Sequence, residues 1–168
     1  GRKMYRAWCP VTRDAVRWRL LFTNPFVHSS VMMRREVVLG VGGYNEGLRH
    51  AADYDLWSRL VERGYEITNL PQVLTQLRVH EASDGMATSH SLEHLGEMAS
   101  VGQANVRRLL HLELPMEHLL SIMKLYRRVE PETHPDGAIE LLGTLSRASG
   151  PRSRPYYGLT ILGIALSA

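Results

Sequence analysis

The stretch GGYNEGLRHAADYDLWSRLVERGY, Gly42 to Tyr65, decides how the rest of this chain is read. Gly42-Gly43 can take positive φ without steric cost, so a sharp turn is expected there. Leu56, Trp57, Leu60 and Val61 recur at the spacing of one helical face, which predicts a helix beginning at Asp53, and Gly64 supplies its C-terminal stop. Asp53 then stands near the positive end of the helix dipole, which favours its ionised form. An ionised carboxylate at the edge of a cleft can accept a proton, so chemistry is expected here.

Outward from this stretch, Thr12 or Asp14 caps an expected helix with Val16, Leu20 and Leu21 on its apolar face, ending at Asn24-Pro25. Ser30 to Met33 reads as a short buried strand, and Arg34 to Leu39 as a short helix running into the glycine turn. Glu66 to Leu70 and Val73 to His80 read as two further strands interrupted by Pro71, the second placing Leu74, Gln76, Arg78 and His80 on one face. EASDGMATS, from Glu81, is linker-like, and the chain beyond it reads as helical. Three apolar stripes are expected there: Leu92, Leu95, Ala99, Val106 and Leu109, ending before Pro115; Leu119, Leu120, Met123 and Tyr126; and Ile139, Leu142 and Leu145, with Asp136 as cap. After the PRSRP break at Pro151 to Pro155 the chain closes in apolar YYGLTILGIALSA, read as a packed terminal helix.

With 168 residues and 44% apolar content the chain can bury a core as one domain, or one domain with a helical appendage. A lone cysteine, Cys9, excludes an internal disulfide framework and suits a reducing compartment. No apolar run is long enough for a membrane span, and no leader pattern opens the chain. Net charge is +3, with all basic residues but Lys3 and Lys124 being arginine, spread along the chain rather than clustered. No aromatic-interleaved basic strand is present, so nucleic acid is not the expected partner.

Asn24 to Glu46, NPFVHSSVMMRREVVLGVGGYNE, precedes this region and Gly64 to Ser83, GYEITNLPQVLTQLRVHEAS, completes it. Together, over roughly residues 13 to 85, they resemble the acceptor-side half of family 2 glycosyltransferases, inverting enzymes of the GT-A fold. Members show NPxxHSSVMFRR, GGYDE, EDYDLWLRL and a strand ending RxHxxSxS in that order. The sequence departs from the pattern at Ala52, where the family has glutamate, at Asn45 in place of aspartate, and at Gly85 in place of the second serine.

The resemblance implies an α/β fold: a partial GT-A-type mixed sheet with flanking helices over residues 1–85, followed by an all-helical extension over residues 86–168. It implies that Asp53 is the base, a carboxylate that takes the acceptor hydroxyl proton; the alternative is that Asp53 caps its helix. Gly43, Tyr44 and Asn45 would border the acceptor cleft and His28, with Ser29 and Ser30, would line its floor; the alternatives are a plain turn and satisfied polar residues. Arg78 would pair with the donor diphosphate, or with a surface carboxylate. His80 would ligate a divalent metal, manganese or magnesium, or bond to a nearby loop. Asp53-Tyr54-Asp55 looks like a metal-binding DxD, but helical spacing turns the two carboxylates apart, and Asp55 reads as a solvated or capping residue. His90 and His94, one turn apart without a third ligand, read as a solvated helix face rather than a zinc site.

The implied activity is transfer of a sugar from a nucleotide sugar to a carbohydrate, lipid-linked or protein acceptor with inversion, in cell-envelope polysaccharide synthesis. The nucleotide-binding half, with its DxD, falls outside these residues, so the chain alone is expected to bind donor poorly. A cytoplasmic location is expected, with peripheral association at the inner face of the membrane allowed for. The rival expectation is a truncated, non-catalytic module that binds or scaffolds through its helices; an arginine-based nucleic-acid binder is a weaker third.

Overall fold

Thr12 opens the first helix: its hydroxyl oxygen accepts the Ala15 N–H at 3.3 Å, and α1 runs Arg13–Arg19. This is a computed structural model, and it describes residues 9–76, 91–127 and 135–151. A 3-10 turn over His28–Ser30 follows, then α2 (Arg35–Gly40), α3 (Ala52–Glu62), α4 (Leu92–Leu110), α5 (Met116–Arg127) and α6 (Pro135–Ala148).

The apolar face read from the sequence of α3 is the face that packs. Leu56, Trp57, Leu60 and Val61 are all buried, joined by Tyr54. The helix stops as expected: Gly64 adopts φ +84, its N–H reaches Val61 O at 3.1 Å and the Tyr65 N–H reaches Leu60 O at 3.0 Å. Trp18, Leu20, Leu21 and Phe22 meet this face from α1 and the turn after it, Met98, Ala99, Val101 and Val106 from α4. Leu119, Ile122, Met123, Leu142 and Leu145 extend the same core into α5 and α6, with α3 packed on α4, α4 on α5 and α5 on α6. Each Val, Leu, Ile, Phe or Met side chain so removed from water contributes about 1.5–3 kcal/mol, which is the main reason the helices hold together.

A close approach fixes the centre of this core. The Leu20 carbonyl, at the end of α1, accepts the Tyr54 hydroxyl at 2.7 Å and the Asn105 side-chain amide at 2.6 Å, so α3 and α4 are both tied to one oxygen. Gly102 lets α4 lie against it, since a Cβ there would stand 3.1 Å from the Leu21 carbonyl oxygen. α4 is capped by Ser91, whose Oγ accepts the His94 N–H at 3.2 Å, and ends in left-handed His111. Leu92, expected on the buried stripe, is instead exposed at the first position of that helix. Asp136 lies inside α6 rather than before it.

The expected mixed sheet is absent: among the described residues there is no strand, so the α/β, GT-A-type fold class is corrected to helices joined by irregular segments. Residues 28–30 form the 3-10 turn and Met32 is 98% exposed, where a buried strand was expected. From Tyr65 to Gln76 the chain is irregular, and Val73 and Leu74 face solvent. Side chains, not a ladder, hold it: Thr68 donates to Val11 O, Asn69 donates to Pro10 O at 2.8 Å and Pro25 O at 3.1 Å, and Arg13 pairs with Glu66 at 2.7 Å. Alternation of apolar residues marks where a strand could lie, but a strand is stabilised only by a neighbour that takes its N–H and C=O groups. No described segment offers those groups here. Residues 77–80 of the second expected strand, the linker at Glu81 and the apolar terminus from Tyr156 lie outside the described residues.

Candidate active site

Two loops and one helix end meet around Asp53. Gly42 and Gly43 take φ +90 and +68, the left-handed conformations that a double glycine admits, and turn the chain after α2 so that Tyr44 comes back over α3. Arg59 holds that turn from the next turn of α3. It donates to the Val41 and Gly43 carbonyls at 2.6 and 2.7 Å and to the Asp55 carboxylate at 2.8 Å. Asp55 is therefore a buried ion-pair partner rather than the solvated or capping residue expected, and its i,i+4 spacing to Arg59 is what aligns the two.

Asp53 stands in the first turn of α3 and is partly buried. Its Oδ2 accepts the Asn24 side-chain amide at 2.8 Å and its Oδ1 the Tyr54 N–H at 2.7 Å. Asn24 is itself set by a tight turn before Pro25, its Oδ1 accepting the Phe26 N–H at 3.0 Å. The capping alternative holds only in part: the N-cap is Ala51, and Asp53 bonds one first-turn N–H from inside the helix. Each carboxylate oxygen carries one of these hydrogen bonds, and an sp² oxygen has a second lone pair to offer.

Tyr44 and His28 form the exposed rim beside it. His28 Nε2 and Tyr44 Oη lie 2.8 Å apart, their rings meet edge-on at 5.6 Å, and His28 also lies 6.2 Å from the buried Trp57 ring. Partial burial, and after it the negative charge of Asp53, pushes the Tyr44 phenol above its ordinary value. The structure thus joins His28 to Tyr44, with Gly43 shaping the loop, and leaves Asp53 bonded to Asn24 and the Tyr54 N–H. The Asn45 side chain instead closes its own turn, accepting the Gly47 N–H at 3.0 Å, and Ser30 donates to Val27 O at 2.7 Å. Arg78 and His80 lie outside the described residues. His94, expected on a solvated face, packs its ring 5.6 Å from that of His50.

Three residues of this arrangement carried no functional assignment in the sequence: Asn24, Arg59 and Glu97. Asn24 read only as the end of a helix, although it opens the NPF segment. Arg59 could have been found from its spacing to Asp55. Glu97, on α4, accepts the backbone N–H groups of Arg49, His50 and Ala51 just ahead of α3, and nothing in its own neighbourhood signals that contact.

The sequence is similar to those of bacterial proteins named as glycosyltransferases. It is 33% identical over 69 residues to the amylovoran biosynthesis glycosyltransferase AmsE of Erwinia amylovora, covering 41% of this chain and 26% of that protein. It is 36% identical over 66 residues to the O-antigen biosynthesis glycosyltransferase WbnJ of Escherichia coli, covering 38% and 26%. An uncharacterized glycosyltransferase of Haemophilus influenzae is 42% identical over 55 residues, covering 33% and 20%. The matched stretch spans about a quarter of the length of the first two relatives. No family model matches the chain, and no solved structure matches it. The relationship these similarities support is with glycosyltransferases as a class.

Proposed function

We propose that this chain is the acceptor-side part of an inverting, family 2 glycosyltransferase that moves a sugar from a nucleotide sugar to a glycan or lipid-linked acceptor. The observation that carries the reading is the partly buried carboxylate of Asp53, held by the Asn24 side-chain amide in the first turn of α3. Two of the relatives are named for amylovoran and O-antigen biosynthesis, which supports a cell-envelope glycan as the product class.

In this mechanism an acceptor hydroxyl lies against Asp53, with His28 and Tyr44 on the open side. As the acceptor oxygen bonds to the anomeric carbon, its proton passes to Asp53 and the bond from that carbon to the nucleoside diphosphate breaks. Attack opposite the leaving group in a single displacement inverts the anomeric centre. Asn24 keeps the carboxylate aimed and Arg59 keeps the Tyr44 loop in place, so both act by position. Arg78 is proposed to pair with the diphosphate, and His80 to be one ligand of a manganese or magnesium ion. Among the described residues no three His, Cys, Asp or Glu side chains are grouped to hold an ion. The described residues do not supply that site. No described helix is long and apolar enough to cross a membrane; a location at the cytoplasmic membrane face is part of the proposal.

The test is Asp53→Asn in the longest polypeptide that carries this chain, assayed by nucleoside diphosphate release from a panel of nucleotide sugars. Loss of a general base lowers turnover by about a hundredfold or more, with donor KM little changed. A variant turning over at near wild-type rate removes Asp53 from the role.

A further inference from the structure

The start of α3 has no side-chain cap from its own sequence. Its N-cap is Ala51 and its first residue Ala52, and no side-chain oxygen at the cap accepts a first-turn N–H. Helix N-termini need such acceptors, because their first N–H groups have no partner within the helix. Here another element takes the N–H of the cap residue Ala51 and of the two residues before it. Glu97 on α4 accepts the Arg49 N–H at 3.0 Å through Oε1, and the His50 and Ala51 N–H groups at 2.6 and 2.9 Å through Oε2. Partial burial pushes this carboxyl up, but the N–H groups of His50, Arg49 and Ala51, with the His50 side chain, outweigh that and leave it below the ordinary glutamate value. Glu93, one turn earlier on α4, faces His50 at 3.7 Å without touching the N–H groups.

We infer that Glu97 is a positioning residue for Asp53: by binding the three N–H groups that lead into α3, it sets where the helix begins and so where the Asp53 carboxylate stands against Asn24. The inference rests on the reading of Asp53 as the functional carboxylate. The segment from Asn45 to Ala51 arrives from the glycine turn as irregular chain, so its own secondary structure does not fix the helix start. Asp53 lies two residues past Ala51, within the turn that would fray if the anchor were lost. The contact also makes α4 part of the site, because the residue that fixes the start of α3 comes from the helical region.

The test uses this chain, with nuclear magnetic resonance of the Asn24 side-chain amide, the Asp53 carboxyl and the backbone amides of residues 49–51. Glu97→Gln keeps the shape but replaces one acceptor oxygen by a donor that faces those N–H groups. Amide exchange at Arg49, His50 and Ala51 should rise by about tenfold or more. The Asn24 and Asp53 signals should move with it, the former toward those of a free asparagine side chain. Glu93→Gln, which removes only the His50 contact, should leave these signals where they are. Faster exchange with unmoved Asn24 and Asp53 signals would reduce Glu97 to a local cap and overturn the inference. If Glu97→Gln does not fold, Glu97→Asp keeps the charge on a shorter arm, and the same signals must shift partway; their staying put overturns it equally. None of these signals needs turnover. A transferase indifferent to Asp53→Asn would thus discard the base and leave the Glu97 result intact, and unmoved signals would do the converse.

Discussion

Replacing Arg59 by methionine tests how the Tyr44 loop is held. The guanidinium serves three acceptors at once, Asp55 at 2.8 Å and the Val41 and Gly43 carbonyls at 2.6 and 2.7 Å. Its side chain is 18% exposed and that of Asp55 12%, so the pair is far from the solvated regime in which an ion pair is worth about 0–1 kcal/mol. Removing one partner of a buried pair destabilises by about 3–5 kcal/mol, because the remaining charge is left without compensation. Residual exposure lets water reach part of the vacated site, which puts Arg59→Met near the lower end, about 3 kcal/mol. That is a large share of a typical stability of about 5–15 kcal/mol. Adding Asp55→Asn removes the orphaned charge, so the double variant should recover about 1–2 kcal/mol relative to Arg59→Met alone. Arg59→Lys should not restore the loop, since an ammonium cannot span three acceptors in one plane. Urea unfolding of the four proteins of the cycle, followed by circular dichroism at matched slopes, measures these differences. A loss below about 1 kcal/mol for Arg59→Met, or simple additivity in the double variant, would refute the clamp.

Gly102→Ala sets helix propensity against packing. Alanine gains about 1 kcal/mol inside a helix, but its Cβ would stand 3.1 Å from Leu21 O and 3.1 Å from Met123 Cε. The methionine methyl can swing aside; the carbonyl cannot, because neighbouring Leu20 O is pinned by Tyr54 and Asn105. A net loss of about 1–2 kcal/mol is expected, seen as a lower Tm, and an unchanged or raised Tm would contradict the close approach. The Glu97 carboxyl gives a pH signature. Its folded value lies below the ordinary 4.5, so its contribution is present above that pH and is lost as pH falls through the folded value. Melting curves between about pH 3 and 6 should show stability falling with acidification, and Glu97→Gln should flatten that limb; an identical slope in both proteins would argue against it.

The site was legible in part. His28, Tyr44 and Asp53 are each singled out from sequence; the structure joins His28 to Tyr44 by a hydrogen bond and Asp53 to Asn24. Asn45 was singled out too, but its amide serves its own turn, as its residue type also allowed. Asn24 and Glu97 were not singled out. Their partners lie 29 and 46 to 48 residues away, and one-dimensional spacing holds no information about such contacts.

What the sequence by itself determined is local: the α3 face of Leu56, Trp57, Leu60 and Val61, its Gly64 stop, the Thr12 cap, the positive-φ turn at Gly42-Gly43 and, of the later stripes, Leu95, Ala99, Val106, Leu119, Met123, Leu142 and Leu145. Helical periodicity and caps are satisfied by residues a few positions apart, so sequence neighbours suffice to specify them. Tertiary structure decided what needs a distant partner. The alternation at Val73 and Leu74 found no neighbouring strand among the described residues and stayed irregular, while Thr68 and Asn69 used side chains to bind the chain near Pro10. The same dependence governs Arg59 and Glu97: the Arg59 guanidinium reaches back to the Val41 and Gly43 carbonyls, and Glu97 takes the N–H groups of Arg49, His50 and Ala51 that lead into α3. A charge or a backbone N–H is stabilised by whatever lies across the gap, and only the packing of α1, α3 and α4 brings those groups together.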